Sequence, residues 1–129
     1  MTAFGIWAAR GIGVAYLALG AWCTAAPRSV ARRVGFSLES DSGLSEFVTV
    51  YGGLEVGLGA ALLLTSFVPG LREGGLVFGA VFSLALPLFR AATLVRLDVG
   101  RGVYGLFAVE VLFAVLLAVP AWAALQGRL

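Results

Sequence analysis

Residues 47–68 read FVTVYGGLEVGLGAALLLTSFV, a long apolar stretch with one charged residue, Glu55, near its middle. A helix of about 20 apolar residues is long enough to cross the roughly 30 Å hydrocarbon core of a bilayer. A lone acid is costly within such a helix, so we expect it to face other helices and regard it as a candidate functional residue. The stretch therefore predicts a membrane-spanning helix whose carboxyl group is turned inward.

The composition of the whole chain supports a membrane protein. Its 129 residues are 60% hydrophobic and 12% charged, and the mean hydropathy is +1.00. A soluble domain carries about 25% charged residues, so this chain lacks the polar side chains that would coat a water-soluble globule. The length is that of one domain, and we expect residues 1–129 to form a single transmembrane unit.

Several classes of function are disfavoured by what the sequence lacks. Histidine is absent and Cys23 is the one cysteine. An internal disulfide and a thiolate metal cluster are therefore excluded, and we expect neither a metal nor a cofactor. The sequence has no HExxH, Walker, GxSxG or CxxC motif. The net charge is +2 and every basic residue is an arginine. These arginines are too few and too close to the predicted helix ends for a nucleic-acid surface.

Three further apolar runs have spanning length. Together the four runs are residues 3–26, 47–68, 75–95 and 103–125. Each run is continuously apolar and does not alternate with polar residues, which favours helices over a closed barrel. The sequence thus predicts an all-α integral membrane bundle of four helices with up-down topology. Residues 27–45 connect the first two runs, and Arg28 and Arg32, one turn apart, indicate a short helix in the headgroup region.

The arginines also predict an orientation. They fall mainly on the first and third connections, at Arg28, Arg32, Arg33, Arg96 and Arg101. The other side has Arg72 and Arg128, with Arg10 nearby. By the positive-inside rule, the first and third connections are cytoplasmic and both termini lie outside. The tryptophans, near the ends of the runs, are expected to anchor the helices at the two interfaces.

Three charged residues are expected at similar depth in the bilayer. At about 1.5 Å of rise per residue, Glu55 lies about 13 Å, Glu110 about 11 Å and Arg90 about 8 Å from the cytoplasmic side. Isolated charges at that depth are costly, so we expect Arg90 to lie between Glu55 and Glu110 in a hydrogen-bonded cluster. Tyr51, one turn before Glu55, is expected on the same face.

Other polar residues are expected around this cluster. Glu46, Arg96, Asp98 and Arg101 would lie at its cytoplasmic mouth, and Arg10 could reach it from the opposite side. Gly53 and Gly57 form a GxxxG motif on an adjacent face, a pattern that lets two membrane helices approach closely.

The chain also resembles a known family. The segment 46–54, EFVTVYGGL, looks like the signature of the DUF4345 family, and the resemblance covers nearly the whole chain. The other matching positions are Gly57, Gly59, Arg90, Asp98-Val99-Gly100 and Glu110. The resemblance implies a small bacterial four-helix protein of the inner membrane, similar in architecture to DoxX-like proteins and without a settled biochemical role. The chain departs from the family at Phe47, where an arginine often stands, and in having Asp-Val-Gly for the usual Asp-Gly.

Several roles fit these residues. The charged cluster could be a structural ion network that fixes the bundle, although desolvation limits what such a network contributes to stability. As a binding or accessory protein, the bundle would hold a lipidic or small hydrophobic ligand, or dock against a second copy or another membrane protein. As an enzyme, it would use Glu55 and Glu110 as acid and base on an apolar substrate, in an isomerisation or cyclisation. Transport of protons or small solutes would require oligomers. Membrane lipids are expected partners in every case.

Overall fold

Four long helical stretches dominate the structure, a computed structural model that describes residues 2–127. The α-helices are α1 (Ala3–Ala25), α2 (Pro27–Arg33), α3 (Asp41–Phe47), α4 (Leu54–Phe67), α5 (Arg72–Arg96) and α6 (Arg101–Gln126). A π-helical segment, Val48–Gly53, joins α3 to α4 without a break, and a 3-10 turn, Pro69–Leu71, precedes α5. No β-strand occurs between residues 2 and 127. The prediction of an all-α chain with four long helices is confirmed.

The helix ends follow from local sequence chemistry. The Thr2 side chain accepts a hydrogen bond from the Gly5 N–H, and Ser40 caps α3 in the same way through the Gly43 N–H. These hydroxyls satisfy backbone donors that have no partner inside the helix. At the end of α2, Gly35 has a φ of 87°, a left-handed conformation that glycine adopts without steric cost. The adjacent Phe36 N–H donates to the Ala31 carbonyl, which closes the helix end.

Four helical stretches are long and apolar enough to cross a membrane. They are Ala3–Ala25, Asp41–Phe67, Pro69–Arg96 and Arg101–Gln126. Large hydrophobic side chains are exposed along all four, including Trp7, Leu64, Phe89 and Val119. Soluble monomers rarely expose contiguous apolar surface on a large scale. The second stretch starts at Asp41, before the predicted start at residue 47, because Ser40 begins a helix there. Arg128, one of the arginines used to predict orientation, lies outside the described residues.

Backbone contact between α1 and α4 depends on glycines. A Cβ atom on Gly59 would lie 2.6 Å from the Gly13 carbonyl oxygen, and one on Gly20 would lie 2.7 Å from the Gly52 carbonyl oxygen. Gly13 therefore lies against Gly59, and Gly20 lies against Gly52. Since the residue numbers rise along one helix as they fall along the other, the two helices run antiparallel. Side chains at these positions would force the helices apart, so glycine is what allows the close approach.

The predicted GxxxG pair does not make this contact. No atom of a neighbouring element lies within 4 Å of where a Cβ of Gly53 or Gly57 would be. The inward face of α4 is instead formed by the buried residues Leu58, Gly59 and Leu62. Residues three and four positions apart share a helix face, and Gly57 falls outside that set.

The main core lies between all four long helices. It includes the fully buried Leu62, Leu76 and Leu117, from α4, α5 and α6. The Tyr16 ring of α1 packs edge-on against Phe82 and Phe113, with ring centroids 6.5 Å and 5.5 Å away. Tyr16 thus brings a hydroxyl group into an otherwise apolar core.

A second, smaller core lies at one end of the bundle. Cys23, Val30, Ala31 and Phe47 are its buried members. At the same end, a Cβ on Gly102, at the start of α6, would lie 3.3 Å from the Arg33 carbonyl oxygen. The end of α2 and the start of α6 are therefore neighbours. We call this end, with α2, α3 and the α5–α6 connection, the α2 end of the bundle.

We predict that Gly59→Ala destabilises the protein by about 1–3 kcal/mol, the usual cost of overpacking. The new methyl group would meet backbone atoms of α1, which cannot move aside as a side chain can. Thermal or denaturant unfolding in detergent would measure the change.

Gly57→Ala is the matched control, because its methyl group would enter open space. It should leave stability unchanged or raise it by up to about 1 kcal/mol, since alanine favours a helix more than glycine does. Equal losses for the two variants would contradict the contact between α1 and α4.

Candidate functional site

Arg90 and Glu110 form a two-pronged ion pair between α5 and α6. The Arg90 Nε donates to Glu110 Oε2 and the Arg90 Nη2 donates to Glu110 Oε1, both at 2.6 Å. The side chains are 29% and 14% exposed. Two parallel charge-assisted hydrogen bonds fix the geometry of both groups. The prediction that these two residues meet is supported by these distances.

Glu55 does not join this pair. It makes no hydrogen bond or ion pair with any residue in the described range, and its Oε2 is buried without a partner. The expected cluster with Arg90 between two carboxylates is therefore wrong. The planar guanidinium of Arg90 can form one pair of parallel hydrogen bonds with a carboxylate, and both oxygens of Glu110 already accept that pair. Glu55 remains on the inward face of α4, one turn before the buried Leu58 and Gly59.

Tyr16 and Ser83 bring two hydroxyl groups together in the interior of the bundle. The Tyr16 Oη and the Ser83 Oγ lie 3.5 Å apart, at the long limit for a hydrogen bond. Both residues are buried. Glu55 and Glu110 both lie within electrostatic range of the Tyr16 hydroxyl. The polar groups of this region thus come from all four long helices. We call Tyr16, Glu55, Ser83, Arg90 and Glu110 the polar layer.

The π-helical segment just before Glu55 is a local departure that the sequence did not predict. The Leu54 N–H donates to the Thr49 carbonyl, five residues back in place of the usual four. The extra residue in this turn changes which side chains face inward. Phe47 and Gly52 are both buried although they are five residues apart, whereas an α-helix repeats a face after three or four residues. Such segments are common beside functional sites because they re-aim the side chains that follow.

Tyr51 lies in an aromatic cluster at the surface. Its ring stacks on Phe47 with centroids 4.8 Å apart and lies 5.7 Å from the Phe36 ring. Tyr51 is exposed and lies within electrostatic range of Arg90. It therefore borders the polar layer on its outer side and does not share the inward face with Glu55.

The residues expected at the mouth of the cluster form no network. All of them are exposed and, within residues 2–127, make no hydrogen bond or ion pair through their side chains; they are Glu46, Arg96, Asp98 and Arg101.

Arg10 contacts a different region. Its Nε donates to the Ser66 Oγ at 3.2 Å. Ser66 is eleven residues after Glu55, or about 16 Å along the helix, so Arg10 does not reach the polar layer.

Two members of the polar layer were not predicted from the sequence as site residues. Tyr16 stands in an apolar run, where an aromatic residue is usually a packing residue, and Ser83 has no basic neighbour in the sequence. A partial signal existed, since a buried tyrosine hydroxyl needs a hydrogen-bond partner. The sequence does not reveal which residue supplies it.

The described residues contain no group of three His, Cys, Asp or Glu side chains close enough to hold a metal ion. A cavity of about 240 Å³ lies at the opposite end of α5 and α6 from the polar layer, lined by Glu73, Gly74, Val77, Ala124 and Leu125.

Comparison with known proteins does not assign a family to this site. No family model, no curated protein and no solved structure matches the chain. The resemblance to the DUF4345 family stays a prediction, and the polar layer is the feature that bears on function.

We predict that Arg90→Gln and Glu110→Gln each destabilise the protein by about 1–3 kcal/mol, because each leaves a partly buried charge without its partner. The double variant should lose less than the sum of the two. A coupling energy of about 0.5–3 kcal/mol in a double-mutant cycle, measured by unfolding in detergent, would report the pair.

Arg96→Gln is the control for loss of an arginine near the same helix end. That arginine is exposed and unpaired among the described residues, so its replacement should change stability by less than about 0.5 kcal/mol. Strict additivity of the Arg90 and Glu110 variants would be evidence against the ion pair.

Proposed function

We propose that this chain is an integral membrane protein that binds a small lipidic or hydrophobic ligand at the polar layer. The four spans would form an up-down bundle, with α2 lying in the headgroup region. The exposed apolar side chains along the spans support this placement. On α2, Val30 and Ala31 are buried while Arg28, Arg32 and Arg33 are exposed, the pattern of a helix at an interface. The Arg33 guanidinium lies 5.4 Å from the Trp22 ring, a pairing that suits the headgroup level.

The observation that carries the ligand proposal is the buried, unpartnered oxygen of Glu55. Buried polar atoms in native proteins nearly always have a hydrogen-bond partner. Leaving such a group unsatisfied costs about 1–3 kcal/mol. A ligand that donates a hydrogen bond to Glu55 would remove this cost, and a polar group on a lipidic molecule would supply the donor. The apolar side chains around the layer would accommodate the remainder of such a molecule.

A purely structural role explains Arg90 and Glu110 but not Glu55. The ion pair joins α5 to α6 and satisfies both of its members. Glu55 has no hydrogen-bond or ion-pair partner among residues 2–127, so as a structural residue it would only destabilise the bundle. Function is the usual reason for retaining an ionisable residue of this kind within a membrane helix.

The enzymatic alternative, with Glu55 and Glu110 as acid and base, has less support. Both oxygens of Glu110 are occupied by Arg90, which leaves little freedom for proton exchange. Glu55 with Tyr16 would be the better pair for acid–base chemistry, since Glu55 lies within electrostatic range of that hydroxyl. Binding without chemistry requires only the hydrogen-bond acceptor, so we favour it. A membrane partner protein or a second copy of the chain remains compatible with the proposal.

For orientation, we propose that the α2 end faces the cytoplasm of a bacterium and that both termini lie outside the inner membrane. The support is the charge: five arginines, namely Arg28, Arg32, Arg33, Arg96 and Arg101, belong to this end of the bundle. The resemblance to DUF4345 proteins is consistent with that location.

We predict that Glu55→Leu abolishes binding of the ligand while making the ligand-free protein more stable, by up to about 1–3 kcal/mol. The substitution removes the unsatisfied carboxyl group and fills its place with an apolar side chain. Mass spectrometry of extracts from protein purified out of native membranes would detect the co-purified molecule. Unfolding of the delipidated protein would measure stability.

Glu39→Gln is the matched control, because Glu39 is exposed in the connection between α2 and α3. It should retain the ligand at the level of the parent protein. If parent protein and Glu55→Leu carry the same molecules in the same amounts, the ligand proposal fails. A loss of stability in delipidated Glu55→Leu would indicate a structural role.

We predict that a cysteine at Gly70 reacts with a membrane-impermeant maleimide on intact cells and that a cysteine at Ser37 reacts only after the membrane is opened. Both variants would be made in a Cys23→Ser background. Gly70 is exposed in the α4–α5 turn, and Ser37 is exposed at the α2 end. The reverse labelling pattern would overturn the proposed orientation.

A further inference from the structure

Two arginines from different helices converge on one buried serine at the end of the bundle opposite the α2 end. The Arg10 Nε donates to the Ser66 Oγ at 3.2 Å, and the Arg72 Nε donates to the Ser66 carbonyl oxygen at 2.9 Å. Ser66 is 2% exposed, while both arginines are half-buried. The two arginine side chains thus meet at one residue where α4 ends and α5 begins.

No carboxylate of residues 2–127 forms an ion pair with either arginine. Among residues 2–127, neither Arg10 nor Arg72 makes an ion pair, and each uses only its Nε in a hydrogen bond. A guanidinium has five N–H donors, so four on each arginine remain available. Glu73 follows Arg72 in sequence but lines the cavity between α5 and α6. An anion could bridge two half-buried cations that keep such donors, and phosphate is an anion that the arginine fork matches well.

The surroundings of Arg10 fix its position. Its guanidinium carbon lies 4.1 Å from the centroid of the Phe67 ring and 5.3 Å from that of the Trp7 ring. Ser66 donates its own hydroxyl hydrogen to the Leu63 carbonyl at 2.7 Å, so its oxygen is oriented to accept from Arg10. Ser66 is therefore a positioning residue, and the arginines supply the donors to a ligand.

We propose that Arg10 and Arg72 form a binding site for a phosphate group, presented by the headgroup of an anionic phospholipid or by a free phosphate ion. The proposal rests on the membrane placement proposed above but not on the ligand at Glu55. Arg72 begins α5 and Ser66 is at the end of α4, so the site lies at the level of the span ends, where lipid phosphates are found. The exposed rings of Phe67 and Trp7 would lie beside the acyl chains of a bound lipid.

The test for a lipid source uses the fluorescence of Trp7. A Trp22→Phe/Trp122→Phe protein would be placed in vesicles of brominated phosphatidylcholine, whose bromine atoms quench exposed tryptophan. Unlabelled phosphatidylglycerol is then added in increasing amounts. Preferential binding of phosphatidylglycerol at the site would displace brominated lipid and restore Trp7 fluorescence at a low mole fraction. We expect a preference on the order of fivefold for each arginine that contributes.

Arg72→Gln should reduce this preference about fivefold without altering the contact of Arg10 with Trp7. Arg10→Lys keeps the charge but loses the paired N–H donors of the guanidinium. Its preference for phosphatidylglycerol should lie between that of the parent and that of Arg72→Gln. Arg28→Gln, at the α2 end, is the control and should match the parent. Unfolding temperatures of the variants in detergent would show that they are folded.

The test for a free ion compares inorganic phosphate with chloride at equal ionic strength, by unfolding of the protein in neutral detergent. Stabilisation of the parent by phosphate, lost in Arg72→Gln, would support the site with a soluble anion as its source. An equal response of parent and Arg72→Gln in both assays, or no response in either, would overturn the proposal. Absence of any quenching of Trp7 by brominated lipid would instead count against the membrane placement itself.

Discussion

The close contact of α1 with α4 is the constraint on which the arrangement of the polar groups depends. Glycines at two levels let the backbones touch, at Gly13 with Gly59 and at Gly20 with Gly52. Tyr16 and Glu55 lie between these two levels on their respective helices. Without glycine at these positions the helices would separate, and the phenol and the carboxyl group would no longer share one layer. The packing of small residues thus determines the chemistry of the interior.

Within that layer, the two acids have different environments although their sequence surroundings are similar. Glu110 has both oxygens bound to Arg90, whereas Glu55 has a buried oxygen with no partner among residues 2–127. The difference arises because one guanidinium fork satisfies one carboxylate completely. The satisfied pair stabilises the contact of α5 with α6. The buried group that lacks a partner is the reason for placing the proposed ligand at Glu55.

The arginines fall into groups with different environments. Those at the α2 end are exposed, and Arg33 lies near the Trp22 ring. Arg10 and Arg72, at the other end, are held by hydrogen bonds to a buried serine, and Arg10 also lies against two aromatic rings. Arginines exposed to solvent respond to the general negative charge of a membrane surface. Arginines fixed in position can recognise one headgroup. Net charge alone, +2 for the whole chain, does not distinguish these two situations.

The sequence by itself determined the helical class, the number of long helices and most of their ends, although the second and third begin earlier than the apolar runs predict. These features depend on apolar run length and on prolines, and each is local along the chain. It also indicated that Arg90 and Glu110 would meet, because unpaired charges are costly in an apolar bundle. Only the tertiary structure decided that Glu55 stays outside that pair, that Tyr16 and Ser83 join the layer, and that Arg10 turns to Ser66. Those outcomes depend on helix rotation and register, which the π-helical segment and the glycine contacts fix. A uniformly apolar sequence has no alternation of polar and apolar faces from which they could be read.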